Sequence, residues 1–302
     1  MTAAPGSQHD ALVDPALFMP VESLELRARG IVEGFLSGLH RSPYVGFSAE
    51  FASHREYVPG DDPRHVNWKL YARHKRLFMK EYDADTNLRL HLLVDASRSM
   101  ACASLGVSKH AYAACLAAAL AHLALRQHDA VGLTLFADRV IEQLPPRNKS
   151  SQFQAICKSL AHRPTEMPSN LEYAFRQAAN SMRSRGIVIV VSDLFDETDR
   201  LFGGLAEIQF RRHEVLLFQI LDPWERRLPP DETWRFHDLE SGAEIVADAG
   251  AIREVYCRKF AAWEAALEER CRQQAIERSP LTTEAPLADA LAGYLVQRAQ
   301  LM

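Results

Sequence analysis

Asp95, Ser97 and Ser99 put one carboxylate and two hydroxyls into a five-residue run, D-A-S-R-S. Hard oxygens at this spacing suit a hard divalent cation such as Mg²⁺, which takes oxygen ligands in near-octahedral geometry. The run follows L-R-L-H-L-L-V, in which Leu90, Leu92, Leu93 and Val94 read as a short, fully buried strand of a parallel sheet. In open α/β sheets, ligands collect beyond the carboxyl ends of the strands, where this cluster would stand. The plainer reading is that Asp95 and the serines hold loop amides and cap the following helix.

Two further stretches bring oxygens to the same sheet edge. The run I-V-I-V-V at 187–191 is the clearest buried strand in the chain, and it ends in Ser192 and Asp193. The loop 165–169 offers the hydroxyls of Thr165 and Ser169. Two carboxylates and three hydroxyls neither fill nor neutralise every position around Mg²⁺, which usually keeps several waters. A position facing solvent would accept an anionic oxygen, most simply an Asp or Glu of a partner protein. Mn²⁺ or Ca²⁺ would suit such hydroxyl-rich ligands as well.

The elements that must position these residues follow from period and punctuation. Ser23 caps a helix to about Leu39, with Leu24, Ala28, Ile31, Phe35 and Leu39 on one stripe. Helices are expected at 108–127, from Ser150, at 171–184 and at 198–211, with strands at 131–136, 140–144 and 215–221; Pro145-Pro146 should stop the strand at 140–144. The segment 222–249 is turn-rich with short strands at 234–237 and 244–246, before a long helix at 252–276 and a last one at 286–298. Strand–helix alternation predicts an α/β fold, doubly wound around a mostly parallel sheet. Four parts are expected: a loose arm at 1–20, an N-terminal helix with a β appendage at 21–86, the α/β domain at 87–222, and a β excursion with C-terminal helices at 223–302.

Composition excludes several classes. The chain has 302 residues, 47% hydrophobic and 25% charged, with a net charge of −4, so nothing draws it as a whole to nucleic acid or anionic membrane. The apolar stretch 111–125 is too short to span a bilayer and carries His122. No signal peptide is read at the N-terminus. The five cysteines never form a C-x-x-C pair, which fits reduced thiols in a cytoplasm. In the appendage, Arg64, Lys69, Arg73, Lys75 and Arg76 surround Trp68 and Tyr71, a pattern that could bind single-stranded nucleic acid. Glu56, Asp61, Asp62, Glu81 and Asp83 lie close by, so internal ion pairing is the expectation, with no nucleic-acid role.

The D-x-S-x-S run with Asp193 resembles the metal-ion-dependent adhesion site of the von Willebrand factor type A fold. Where that pattern has a threonine before a helix, this chain reads P-S-N-L, so Ser169 is the equivalent and Thr165 a weaker candidate. The run R-E-Y-V-P-G-D-D-P-R-H-V-N-W, together with V-D-A-S-R-S-M, L-D-P-W-E, H-D-L-E-S-G and P-L-A-D-A-L-A-G-Y-L, resembles the bacterial family called domain of unknown function 58. That resemblance rests on Arg55, Gly60, Asp61, Arg64 and Trp68 as well as on the metal motif. It implies a von Willebrand A-like domain and partnership with a MoxR-type AAA+ ATPase, as a cytoplasmic adaptor or co-chaperone and not an enzyme.

Two other functions compete with the metal-dependent interaction module. A hydrolase would use the same metal as a phosphatase or nuclease, but an aspartyl phosphatase wants a second carboxylate where Ser97 stands, and a serine nucleophile needs a base that the sequence does not place. A metal-free scaffold would leave Asp95 and Asp193 as loop-bracing residues.

Overall fold

The computed structural model describes residues 24–39, 54–56, 78–80, 88–162, 164–165, 167–239, 242–287 and 291–292. In order, the elements are α1 (Leu24–Leu39), β1 (His54–Glu56), β2 (Phe78–Lys80), β3 (Arg89–Asp95), α2 (Lys109–Arg126), β4 (Ala130–Phe136), β5 (Val140–Arg147), α3 (Ser150–Leu160) and α4 (Leu171–Ser181). There follow β6 (Ile187–Ser192), α5 (Thr198–Phe210), β7 (Glu214–Leu221), α6 (Pro223–Arg227), β8 (Thr233–His237), β9 (Glu244–Asp248), α7 (Ala249–Gln273) and β10 (Glu277–Thr282).

Six strands form the main sheet in the order β10-β7-β6-β3-β4-β5. All neighbours run parallel except β4 and β5. Successive strands step one way from β3 to β4 and the other way from β3 to β6, so the order reverses at β3. The carboxyl ends of β3 and β6, carrying Asp95 and Ser192, therefore border the switch-point crevice. This is the doubly wound, mostly parallel α/β sheet that the strand–helix alternation predicts.

Period-two alternation assigns the core. Ile187, Ile189 and Val191 of β6 face one layer with α1, α2 and α3, while Val188 and Val190 face the other with α4, α5 and α7. Each such side chain contributes about 1.5–3 kcal/mol on burial. The alanines of α2, buried from Ala113 to Ala124, let that helix lie close on the sheet and against α1. Gly186 sits where a Cβ would meet the Arg89 carbonyl oxygen at 2.2 Å. Its missing side chain is what lets β6 start beside β3.

Three expectations need correction. Pro145 and Pro146 do not stop β5, which continues to Arg147, because β5 is an outer strand with register shifts against β4 and can do without their N–H groups. The helix expected to reach residue 184 ends at Ser181. The segment after the long helix forms β10, which pairs with β7 from Glu277↔Leu216 to Thr282↔Leu221 in spite of Pro280. Of the last helix, Leu287 and Leu291 are described and buried against the α2 side of the sheet. The arm at 1–20 and most of the appendage, including Gly60, Asp61, Arg64 and Trp68, lie outside the described residues; Arg55 stands in β1, opposite Met79 of β2. All five cysteines are free thiols, and among the described residues no helix is long and apolar enough to cross a membrane.

Candidate metal centre

Asp95 closes β3 and is fully buried, so its carboxylate needs partners from the protein. Oδ1 accepts from the Ser97 N–H at 2.8 Å and Oδ2 from Ser192 Oγ at 2.6 Å. The chain then makes a single 3-10 turn at Arg98–Ala101, and the Ser97 hydroxyl does not cap it. Instead Ser97 Oγ lies 3.1 Å from Ser99 Oγ. Capping of the next helix falls to Ser108, whose Oγ accepts from the Ala111 N–H. The helix-capping alternative for the serines of the motif therefore does not describe Ser97.

Ligands about 2.0–2.1 Å from Mg²⁺ in adjacent octahedral positions lie about 3 Å apart. The Ser97–Ser99 separation of 3.1 Å matches that edge. Among the described residues, no group of three or more His, Cys, Asp or Glu is placed to hold a metal ion, and a cation here would need hydroxyl oxygens beside the carboxylates. Ser97, Ser99 and Asp95 fit a hard cation.

The loop carrying Thr165 and Ser169 is fastened to the same turn. The Thr165 N–H and Oγ1 both donate to Ala96 O, and the Arg98 N–H donates to Met167 O at 3.0 Å. With its proton engaged there and its oxygen accepting from the Met167 N–H, Thr165 braces the loop. The Ser169 oxygen is buried just before α4.

Asp193 follows β6 beside Asp95, and the two carboxylates repel each other. Burial first, and the Asp193 charge second, push the Asp95 carboxyl up to about 7 against the hydrogen bonds from Ser192 and Ser97. Asp193 has a counter-ion that the sequence reading missed. Lys109 is completely buried, with Nζ 2.8 Å from Asp193 Oδ2 and 2.5 Å from Glu225 Oε1. Burial alone would depress the ammonium, but Asp193 and Glu225 together outweigh it and keep Lys109 charged. Glu225 in turn is pushed upward by its own burial, with Lys109 opposing. The Asp193 Oδ1 accepts from the Phe195 N–H, so both its oxygens are engaged.

Glu225 belongs to a capping box at the start of α6. Asp222 accepts from the Trp224 N–H, and Glu225 Oε2 accepts from the Asp222 N–H. Ser104, beyond the metal motif, donates its N–H to Asp222 Oδ2 and so ties that turn to the 3-10 turn. Both missed residues had a signal. A lysine in the first turn of a helix opposes the macrodipole and asks for a carboxylate nearby. The run D-P-W-E is a capping box in sequence.

Residues 53–266 match the family described as "Protein of unknown function DUF58". The uncharacterized proteins Mb1516 of Mycobacterium bovis and Rv1480 of Mycobacterium tuberculosis are each 28% identical over 256 residues, covering 82% of this chain and 79% of theirs. Among solved structures, BatB from Bacteroides thetaiotaomicron is similar over 70% of this chain and 99% of that one, at 17% identity and a TM-score of 0.46. The SpRpn10 VWA domain is similar over 68% and 93%, at 12% identity and a TM-score of 0.36. The family match takes in both β3 and β6 with the loops behind them, and the chain belongs to the DUF58 family.

Proposed function

We propose that this chain is a non-enzymatic protein-interaction module whose contact depends on a divalent cation. Asp95, Ser97 and Ser99 are the donors in front, with Ser169 and Asp193 as the remaining protein donors. Mg²⁺ is the cation whose geometry the serines suit, and Mn²⁺ or Ca²⁺ are the alternatives. The cation would supply a Lewis-acidic position open to an Asp or Glu of the partner. The observation that carries the reading is the 3.1 Å pair of hydroxyls beside a buried carboxylate at the switch point of the sheet. Membership of the DUF58 family supports a MoxR-type AAA+ ATPase as that partner, in the cytoplasm, where five free thiols would persist. A hydrolase is less well served, since the carboxylate beside the Ser97 hydroxyl, that of Asp95, is already engaged by the Ser97 N–H and by Ser192 Oγ where a nucleophile would need a free base.

The Lys109–Asp193 pair favours the second reading, a scaffold in which the ammonium already neutralises one carboxylate and no metal enters. Thermal melts with Mg²⁺ and Mn²⁺ on the native chain and on Asp95→Ala separate the two. A cation bound only by the folded state adds about 2.7 kcal/mol at a hundredfold excess over Kd. A metal-dependent rise in melting temperature that Asp95→Ala abolishes supports the metal-dependent module. Equal melts with and without metal in both chains, and capture of a MoxR-type ATPase unaffected by EDTA, establish the scaffold instead.

A further inference from the structure

A cavity of about 670 Å³ opens beside the candidate metal centre, and Ser99 is part of its wall. Five aromatic side chains share that lining: Phe195, Trp224, Trp234, Phe236 and Tyr256. Trp224 and Trp234 meet edge to face with centroids 5.1 Å apart, and the Tyr256 hydroxyl donates to Glu225 O. None of the five is fully buried. Partly exposed aromatics around a concave space are the usual anchor points of binding sites. Two leucines hold this wall in backbone conformations that favour glycine. Leu194, at φ 60°, precedes Phe195, and Leu228, at φ 60°, lines the cavity itself.

The buried carboxylates of the wall do not invite a cation. Asp222 accepts from Ser104 and Trp224, and Glu225 is held by Lys109 and the Asp222 N–H. Those two carboxylates are thus already engaged, and an anionic group entering the cavity would meet the candidate metal centre at the Ser99 end and Arg235 and His237 along β8.

Strand β8 gives the cavity a direction. Trp234, Arg235, Phe236 and His237 all line it, and no residue of β9 does. Successive side chains of a strand alternate between faces, so lining by four consecutive residues means that β8 borders the cavity along its edge. Its opposite edge pairs with β9, and among the described residues no strand pairs with the edge toward the cavity.

We propose that this cavity receives an extended segment of a partner protein laid along the open edge of β8. A large apolar side chain of that segment fills the aromatic cavity, and an Asp or Glu within two residues of it reaches the cation at Ser99. Strand addition supplies the affinity through main-chain hydrogen bonds, and the two side chains supply the specificity. The acidic half rests on the metal-centre reading above; the apolar half rests on the cavity and on β8.

A displayed library of random seven-residue peptides, selected on the full chain in Mg²⁺, tests the proposal. The expected peptides carry an Asp or Glu within two residues of Trp, Phe or Leu. The best of them, as a synthetic peptide, should bind at least tenfold more weakly to Trp234→Ala and to Phe195→Ala, and equally well to Val246→Ala on the outer strand. Both test variants are checked by thermal melting, and either one that remains folded decides the point. Peptides that need Mg²⁺ and Asp95 but ignore Trp234 and Phe195 overturn this inference and leave the metal-centre reading standing. Peptides that need Trp234 but are indifferent to EDTA and Asp95→Ala overturn the metal-centre reading, and with it the acidic half. A basic consensus or none at all overturns the proposal. So does concentration-dependent dimerisation that Trp234→Ala abolishes, because the occupant would then be a second copy of this chain.

Discussion

Lys109 reaches Asp193 from the first turn of α2 at 2.8 Å, with its ammonium wholly shielded from water. A carboxylate that the motif would offer to a metal is thus already paired with a cation of the chain itself. Glu225 shares that ammonium, so three elements that are distant in sequence meet at one charge.

Removing that charge leaves two carboxylates facing each other without compensation. Lys109→Met should cost about 3–5 kcal/mol in urea unfolding, the usual cost of breaking a buried pair from one side. Mg²⁺ should restore more stability to this variant than it adds to the native chain, because Asp193 then becomes available to it. Equal gains in both would show that Asp193 takes no part in holding the cation.

The serines of the motif should separate by function. Ser108→Ala should lose about 1 kcal/mol from the missing N-cap and keep the Mg²⁺-induced rise in melting temperature. Ser97→Ala should lose most of that rise and also cost about 1–3 kcal/mol in EDTA, since its hydroxyl caps no helix but does bond the buried Asp95 carboxylate. The comparison needs only melts with and without metal.

Acid should destabilise the fold through His91. Burial first, then the charges of His213 and Arg89, push its imidazole down to about 4 from 6.5. Between those values the unfolded chain binds more protons, so this contribution is complete above pH 6.5 and disappears as pH falls toward 4. Its size is on the order of 3 kcal/mol. Asp95, held up at about 7 by burial and Asp193, works with the opposite sign and loses stability as pH rises from 3.8. His91→Gln should therefore flatten the acid limb of a plot of urea midpoint against pH, and an unchanged limb would exclude His91 as its source.

Gly186→Ala probes how β3 and β6 are brought together. An added methyl would meet the Arg89 carbonyl, a main-chain atom that cannot swing away. Unfolding should become easier by about 1–3 kcal/mol, as for other overpacked sites. The Mg²⁺ response should also weaken, since the shift would separate Asp95 from Ser192.

The sequence shows the parts of this fold that repeat with a period. Buried runs such as I-V-I-V-V announce their strands, and the spacing of Asp95, Ser97 and Ser99 announces their shared loop. It hides β10, because E-R-S-P-L-T has one proline, two charges and no alternation; that strand exists because β7 offers it a partner. It hides the Lys109 pairing for a related reason. Nothing local joins residues 109, 193 and 225, which meet only once the sheet order is known. The resemblance named the metal motif, and only the three-dimensional arrangement shows that one of its carboxylates has a resident partner.

Proline stands in both outermost strands of the main sheet, at Pro145 and Pro146 of β5 and at Pro280 of β10. A strand interrupted in this way is a poor template for a neighbouring molecule, so the broad sheet is guarded against edge-to-edge polymerisation. The small β8–β9 ribbon carries no proline. The protein can therefore hold out one short strand for recruitment while the sheet that carries its core stays inert toward other copies of itself.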